Sequence, residues 1–185
     1  AIVCKKNNKN HYISYKKLIE LVENLSHNLK KIGIKKGDAI GIMLPNSLEW
    51  ILTDLAALKL GVIIVPIPKN ISQENLKFII NDSKLKLLVT DNKKNINQKA
   101  IKCLTPKAIE RFSIINTSSE KEKHKEINNK EIATICYTSG STGKPKGVML
   151  THENILSNIN SLPFRVNEND LLISYLPFSH MFERT

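Results

Sequence analysis

"GDAIGIMLPNSLEWILTDLAALKLGVIIVPI", residues 37–67, contains three elements in one run. "GDAIGIML" is short and continuously apolar after a turn, the pattern of a strand buried on both faces. "NSLEWILTDLAALKLG" offers Ser47 as an N-cap, a helical stretch, and Gly61 as its stop. "VIIVPI" is a second buried strand. Strand, helix and strand in immediate succession predict neighbouring parallel strands joined by a helical crossover.

The pattern continues in both directions. Upstream, Ser14 caps a helix whose Leu18, Leu21, Val22, Leu25, Leu29 and Ile32 recur at helical spacing, and Gly33 ends it. Downstream, Ser72 opens a third helix running to about Ser83, and "KLLVT" is a third strand. The predicted class is α/β, with helices packed on mostly parallel sheets. Between residues 91 and 131 the pattern fades into charged runs such as "SSEKEKHKEINNKE", read as a variable surface segment around one short strand, "FSII". Order returns with the strand "IATICYT", a glycine-rich loop, the strand "GVML", a helix from Thr151 and a strand "LLISYL". No internal repeat is visible.

Composition narrows the function classes. The 185 residues are 41% hydrophobic, which suits a globular chain. The net charge of +11 invites a nucleic-acid reading, but the positive charge is nearly all lysine, with only Arg111, Arg165 and Arg184. The lysines are spread along the chain, and Lys, Ile and Asn are abundant together, as A/T-rich coding produces. No aromatic residues interleave the basic runs. A solvated lysine surface is therefore expected, and no nucleic-acid partner. Cys4, Cys103 and Cys136 form neither a CxxC pair nor a disulfide framework, which points to a reducing compartment. The run "LGVIIVPI" is too short to span a bilayer and the first residues show no leader pattern, so the expected location is cytoplasmic, with peripheral membrane contact compatible. The chain lacks an initial Met, so its start is expected to lie upstream.

The loop "YTSGSTGKPKGVMLTH", Tyr137 to His152, carries the chemistry. It fails the P-loop pattern, because Gly143 and Lys144 are followed by Pro145, and it fails the dinucleotide fingerprint too. Its residue types still suit phosphate. Gly140, Gly143 and Gly147 permit positive φ and close backbone approach to a bulky anion. Thr138, Ser139, Ser141 and Thr142 add short hydroxyl donors. Lys146 adds a mobile charge behind the stiffening Pro145, whereas Lys144 is expected to face solvent. An ordinary flexible hairpin is the alternative that composition alone leaves open.

"YTSGSTGKPKGVMLTHENI" resembles the phosphate-loop motif of the adenylate-forming, or AMP-binding, enzymes. The segment from Ile13 to Ile67 is similar to the opening of that family's N-terminal domain, and "LLISYLPFSHMFER" resembles its next motif, with an ending most like long-chain fatty acyl-CoA synthetases. The resemblance implies that residues 1–185 are part of one N-terminal AMP-binding domain, with the rest of it and the C-terminal domain lying elsewhere. It implies ATP-dependent activation of a fatty acid to an acyl adenylate and transfer to coenzyme A. It implies Lys146 and His180 as catalytic residues and Thr138 as a Mg²⁺ ligand, the metal's partner glutamate lying beyond these residues. Phosphates would be held by Thr138, Ser139, Gly140, Ser141, Thr142, Gly143, Lys146 and Gly147. Phe178, Met181 and Phe182 would line an acyl tunnel or pack in the core. Acceptance by a carrier-protein thiol, release at the adenylate stage, and an inactive remnant remain alternatives, and residues 1–185 alone are expected not to form acyl adenylate.

Overall fold

The computed structural model of the chain describes residues 2–6, 9–92, 96, 101–115, 126–138, 144–162, 167, 170–180 and 184. It begins with an antiparallel pair, β1 (Ile2–Lys6) and β2 (Lys9–Ile13), in which Val3 lies opposite Tyr12. This pair is not predicted by apolar pattern, because both strands are rich in Lys, Asn and His. Helix α1 (Tyr15–Lys31) follows, with the Ser14 hydroxyl accepting from the Lys17 N–H at 3.2 Å. The chain leaves the helix through Gly33 at φ +94°, a left-handed turn that glycine enters without steric cost.

The predicted crossover unit is present as β3 (Ala39–Met43), α2 (Leu48–Lys59) and β4 (Ile63–Pro66). Then come α3 (Gln73–Asp82), β5 (Leu85–Thr90), β6 (Lys102–Leu104), α4 (Pro106–Ile114), β7 (Ile132–Thr138), β8 (Lys146–Thr151) and α5 (His152–Asn160). The main sheet has six strands in the order β6-β5-β3-β4-β7-β8, all parallel except β8, which runs antiparallel to β7. The chain moves from β3 to β4 on one side, then returns to place β5 on the other. That reversal puts helices on both faces.

The alternation of side chains along β3 divides the core. Ile40 and Ile42 face a core built from Leu25 and Leu29 of α1, Trp50 and Leu52 of α2, and Ile109 of α4. Ala39 and Met43 face the other core, with Leu76 and Ile79 of α3. Gly41 is required on this second side. A Cβ there would lie 2.7 Å from Leu85 Cδ1 and 2.9 Å from Leu88 Cδ1, so those leucines pack directly over the strand backbone.

Two expectations are corrected. "FSII" is not a strand: Phe112, Ser113 and Ile114 form the last turn of α4. Thr105 caps that helix, with Pro106 at its first position, where a missing N–H costs nothing. The opposite end is capped from α1. Asn28 Nδ2 donates to the carbonyls of Phe112 at 2.9 Å and Ile115 at 3.2 Å, and Asn24 Nδ2 donates to that of Ser113 at 3.0 Å. These amides meet carbonyls that a helix terminus leaves without partners. The second correction concerns "LLISYL". Residues 170–175 form no strand, and Leu171, Leu172, Ile173 and Tyr175 are 80%, 67%, 82% and 77% exposed. An apolar run becomes a strand only when a ladder partner accepts its backbone, and among the described residues none pairs with it.

Candidate functional site

Parallel strands bring their carboxyl ends to one edge of a sheet, and open α/β sheets bind ligands there. In this chain that edge bears a cleft of about 670 Å³. Its floor is Leu44, Pro45 and Asn46 leaving β3, and Ile67, Pro68, Lys69 and Asn70 leaving β4. Pro45 and Pro68 lack an N–H and turn the chain off the ladder. Ser174, Tyr175 and residues 177–180 form the opposite wall, so His180 lines the cleft.

The β7–β8 hairpin ends at the same edge. Its register sets Thr138 directly across from Lys146 and Tyr137 across from Gly147. Two predicted site residues, distant by eight positions, are thus neighbours, both solvent-exposed. Thr138 and Lys146 do not line the cleft that His180 lines. Ser139, Gly140, Ser141, Thr142 and Gly143 lie outside the described residues, as do Met181 and Phe182. Lys144 is exposed, as expected.

Gly147 serves packing, not a positive φ. A Cβ at this position would lie 2.9 Å from Ile135 Cγ2 and 3.2 Å from Tyr137 Cζ. The Tyr137 ring occupies that space, meets Phe78 edge-on at 6.5 Å, and donates its hydroxyl to Asp82 Oδ2 at 2.5 Å. Burial and the adjacent Asp82 carboxylate push the phenol's pKa up, so it stays a donor across the physiological range. The hairpin carrying the motif is thereby tied to α3. Gly147→Ala is expected to cost about 1–3 kcal/mol through overpacking. Urea unfolding checks this, and an unchanged midpoint would show that Tyr137 yields freely.

The wall that carries His180 is fastened to α2 and to the residue before its N-cap. Asn46 Nδ2 donates to the Leu176 carbonyl at 2.6 Å, and the Phe178 N–H donates to Asn46 Oδ1 at 2.9 Å. Phe178 packs on Trp50 with ring centroids 5.0 Å apart. Beyond His180, Arg184 lies over the same Trp50 ring at 5.4 Å, donates to Asp54 Oδ1 at 2.5 Å and to Thr134 Oγ1 at 3.0 Å. Arg184 and Asp54 are nearly buried, with side chains 3% and 12% exposed. Burial pushes the Asp54 carboxyl up, and the guanidinium pulls it back toward the charged form. Sequence reading missed Asn46, Asp54 and Arg184. The available signal was Asp54 itself, a single acid inside the apolar run "WILTDLAAL", which demands a buried cation.

Other candidates hold no chemistry of this kind. Burial pushes the Cys136 thiol up, so it is a poor nucleophile at neutral pH. His152 occupies the first turn of α5, and burial pushes its imidazole down. Among the described residues no cluster of His, Cys, Asp or Glu is arranged to hold a metal ion, and no helix is long and apolar enough to cross a membrane.

Comparison with known proteins agrees with this geometry. The AMP-binding enzyme family profile matches residues 1–185. Fatty acyl-CoA synthetase A of Dictyostelium discoideum is 31% identical over 200 residues, covering 94% of this chain and 30% of that protein. Long-chain-fatty-acid–CoA ligase 5 of Rattus norvegicus is 31% identical over 216 residues, covering 97% of this chain and 32% of its own length. The ATP-bound crystal structure of MatB from Rhodopseudomonas palustris superposes with a TM-score of 0.82 at 26% identity, over 95% of this chain and 37% of that one. The chain spans about a third of the length of the curated relatives it matches. A doubly wound sheet with the glycine-rich hairpin at its carboxyl edge, and a family match from end to end, lead to one conclusion: this chain belongs to the AMP-binding enzymes, the adenylate-forming ligases, and carries part of their fold.

Proposed function

We propose that the protein activates a long-chain fatty acid with ATP and passes the acyl group to coenzyme A. The observation that carries this reading is the β7–β8 register, which sets Thr138 opposite Lys146 at the sheet edge bearing the His180 cleft. In the first step a carboxylate oxygen attacks the α-phosphorus and the bond to pyrophosphate breaks. In the second, a thiolate takes the acyl carbon and AMP leaves. Lys146 meets the charge that gathers on departing pyrophosphate, where fixed donors act most strongly. Thr138, across the ladder from Lys146, offers its hydroxyl to the same oxygens. Thr138 Oγ1 would be this hairpin's ligand to a phosphate-held Mg²⁺, which would supply neutralisation of the phosphate charge. His180 donates to the carboxylate or the α-phosphate.

The fatty-acid assignment rests on the "HMFER" ending and on the names of the relatives, two of which are fatty acyl or long-chain fatty acid enzymes. The test is ATP–pyrophosphate exchange by the whole protein with acetate, octanoate, palmitate and a panel of amino acids. The rate is expected to rise along the acyl series, because each buried methylene contributes up to about 0.8 kcal/mol until the tunnel is filled. Preference for acetate or an amino acid overturns the fatty-acid reading, and absence of exchange with every acid overturns the ligase reading.

A further inference from the structure

We infer that Asn46, Trp50 and Asp54 form a rail that positions His180 for the adenylation step, with Arg184 as its far clamp. The inference rests on the assignment of His180 to the site. Trp50 and Asp54 lie one turn apart on α2, and Asn46 stands just before the N-cap Ser47 that opens it. Each grips the segment that carries His180. Asn46 brackets Pro177, donating its amide Nδ2 to the Leu176 carbonyl and accepting from the Phe178 N–H at its Oδ1. Trp50 receives the Phe178 ring on one side of His180 and the Arg184 guanidinium on the other. Asp54 holds that guanidinium by an ion pair.

His180 itself sits in a turn closed by its own N–H to the Pro177 carbonyl at 2.9 Å. Its side chain is exposed. On either side of the turn, Leu176 and Phe178 are held by Asn46 and Trp50, and Arg184 by Trp50 and Asp54. Helix α2 is in turn locked into the core by Leu52, Ala56 and Ala57, each 1% exposed or less. The rail therefore transmits the rigidity of the core to an otherwise free-standing loop. Positioning of this kind affects the rate of the step and not the binding of the nucleotide, because misplacement costs alignment at the reacting atoms.

A double-mutant cycle tests it, using ATP–pyrophosphate exchange by the full chain with the fastest acid of the panel above. Asn46 is exposed, so Asn46→Ala leaves the core intact, and its folding is checked by urea denaturation. Asn46→Ala is expected to lower kcat about tenfold at unchanged KM for ATP, and to have no further effect in a His180→Ala background. Arg184→Lys, which keeps the charge but loses the planar fork, should show the same dependence on His180. If Asn46→Ala and His180→Ala each lower kcat and their effects multiply, the rail acts independently of His180 and the inference is overturned. An unchanged kcat in Asn46→Ala overturns it equally. If His180→Ala alone leaves exchange unchanged, the site assignment of His180 fails, and the inference fails with it.

Discussion

Lys146→Ala is expected to slow ATP–pyrophosphate exchange by about 10²–10³-fold in the whole protein, the effect of removing one donor aimed at developing charge. The position leaves little room for another explanation of such a loss. Lys146 is the first residue of β8, exposed, and held opposite Thr138 by the hairpin ladder. Its side chain is not used in any core, so alanine should leave the melting temperature unchanged. The loss should fall on kcat more than on KM for ATP, because the charge on the leaving group grows only as the bond to pyrophosphate breaks. Lys144→Ala is the control. Lys144 is exposed and lies before Pro145, outside the ladder, so its rate should remain within about twofold of the original. Equal losses in the two variants would mean that general positive charge, and not Lys146, assists the reaction.

Arg184→Leu is expected to give the largest loss of stability of any single substitution considered, about 3–5 kcal/mol, because it leaves the Asp54 carboxylate buried without its cation. It also removes the donor to Thr134 Oγ1. Adding Asp54→Leu should recover most of the loss, since two apolar side chains replace a desolvated pair. The pH dependence distinguishes this mechanism from a simple packing defect. In the single variant nothing opposes the upward push of burial on Asp54, whose ordinary value is 3.8. A carboxyl with a raised folded-state pKa contributes stability below its unfolded value and loses it as pH rises through the folded value. The deficit of Arg184→Leu should therefore be greatest at neutral pH and shrink as the solution is acidified toward 3.8. Urea midpoints at a series of pH values measure this, and a deficit independent of pH would point to lost packing alone.

Local signals in the sequence carried much of the fold. Ser14, Ser47, Ser72 and Thr151 each accept a hydrogen bond from the backbone N–H three residues on, and each was legible as a cap because the chemistry is contained within one helical turn. The buried strands β3, β4 and β5 were legible because parallel strands covered on both faces read as continuous apolar runs. What failed depended on partners. "LLISYL" has the composition of a strand and no ladder to join, whereas β1 and β2 have poor strand composition and pair with each other. Helix α4 had a local start in Thr105 and Pro106, but its far end was hidden because the amides that meet its last carbonyls come from Asn24 and Asn28 on α1. For the site, the hydroxyls and lysine of the hairpin were legible from their density. The residues that fasten His180 were not, because Asn46, Trp50 and Asp54 gain their meaning only from residues about 130 positions away.

That separation has a consequence for the order of assembly. The Asn46–Phe178 hydrogen bond closes a span of 132 residues, and Arg184–Asp54 one of 130. The loop-closure cost of such spans must be met before the contacts return any stability, so these contacts join a sheet that is already built. During synthesis, α2 emerges with Trp50 and the Asp54 carboxylate still uncovered, and it waits through most of the chain for its cation. The same fastening, last to form and attached outside the ladder, is the first to let go. Amide hydrogens of residues 176–180 should exchange through local openings far smaller than global unfolding, while those of β3 and β4 exchange only when the whole sheet comes apart.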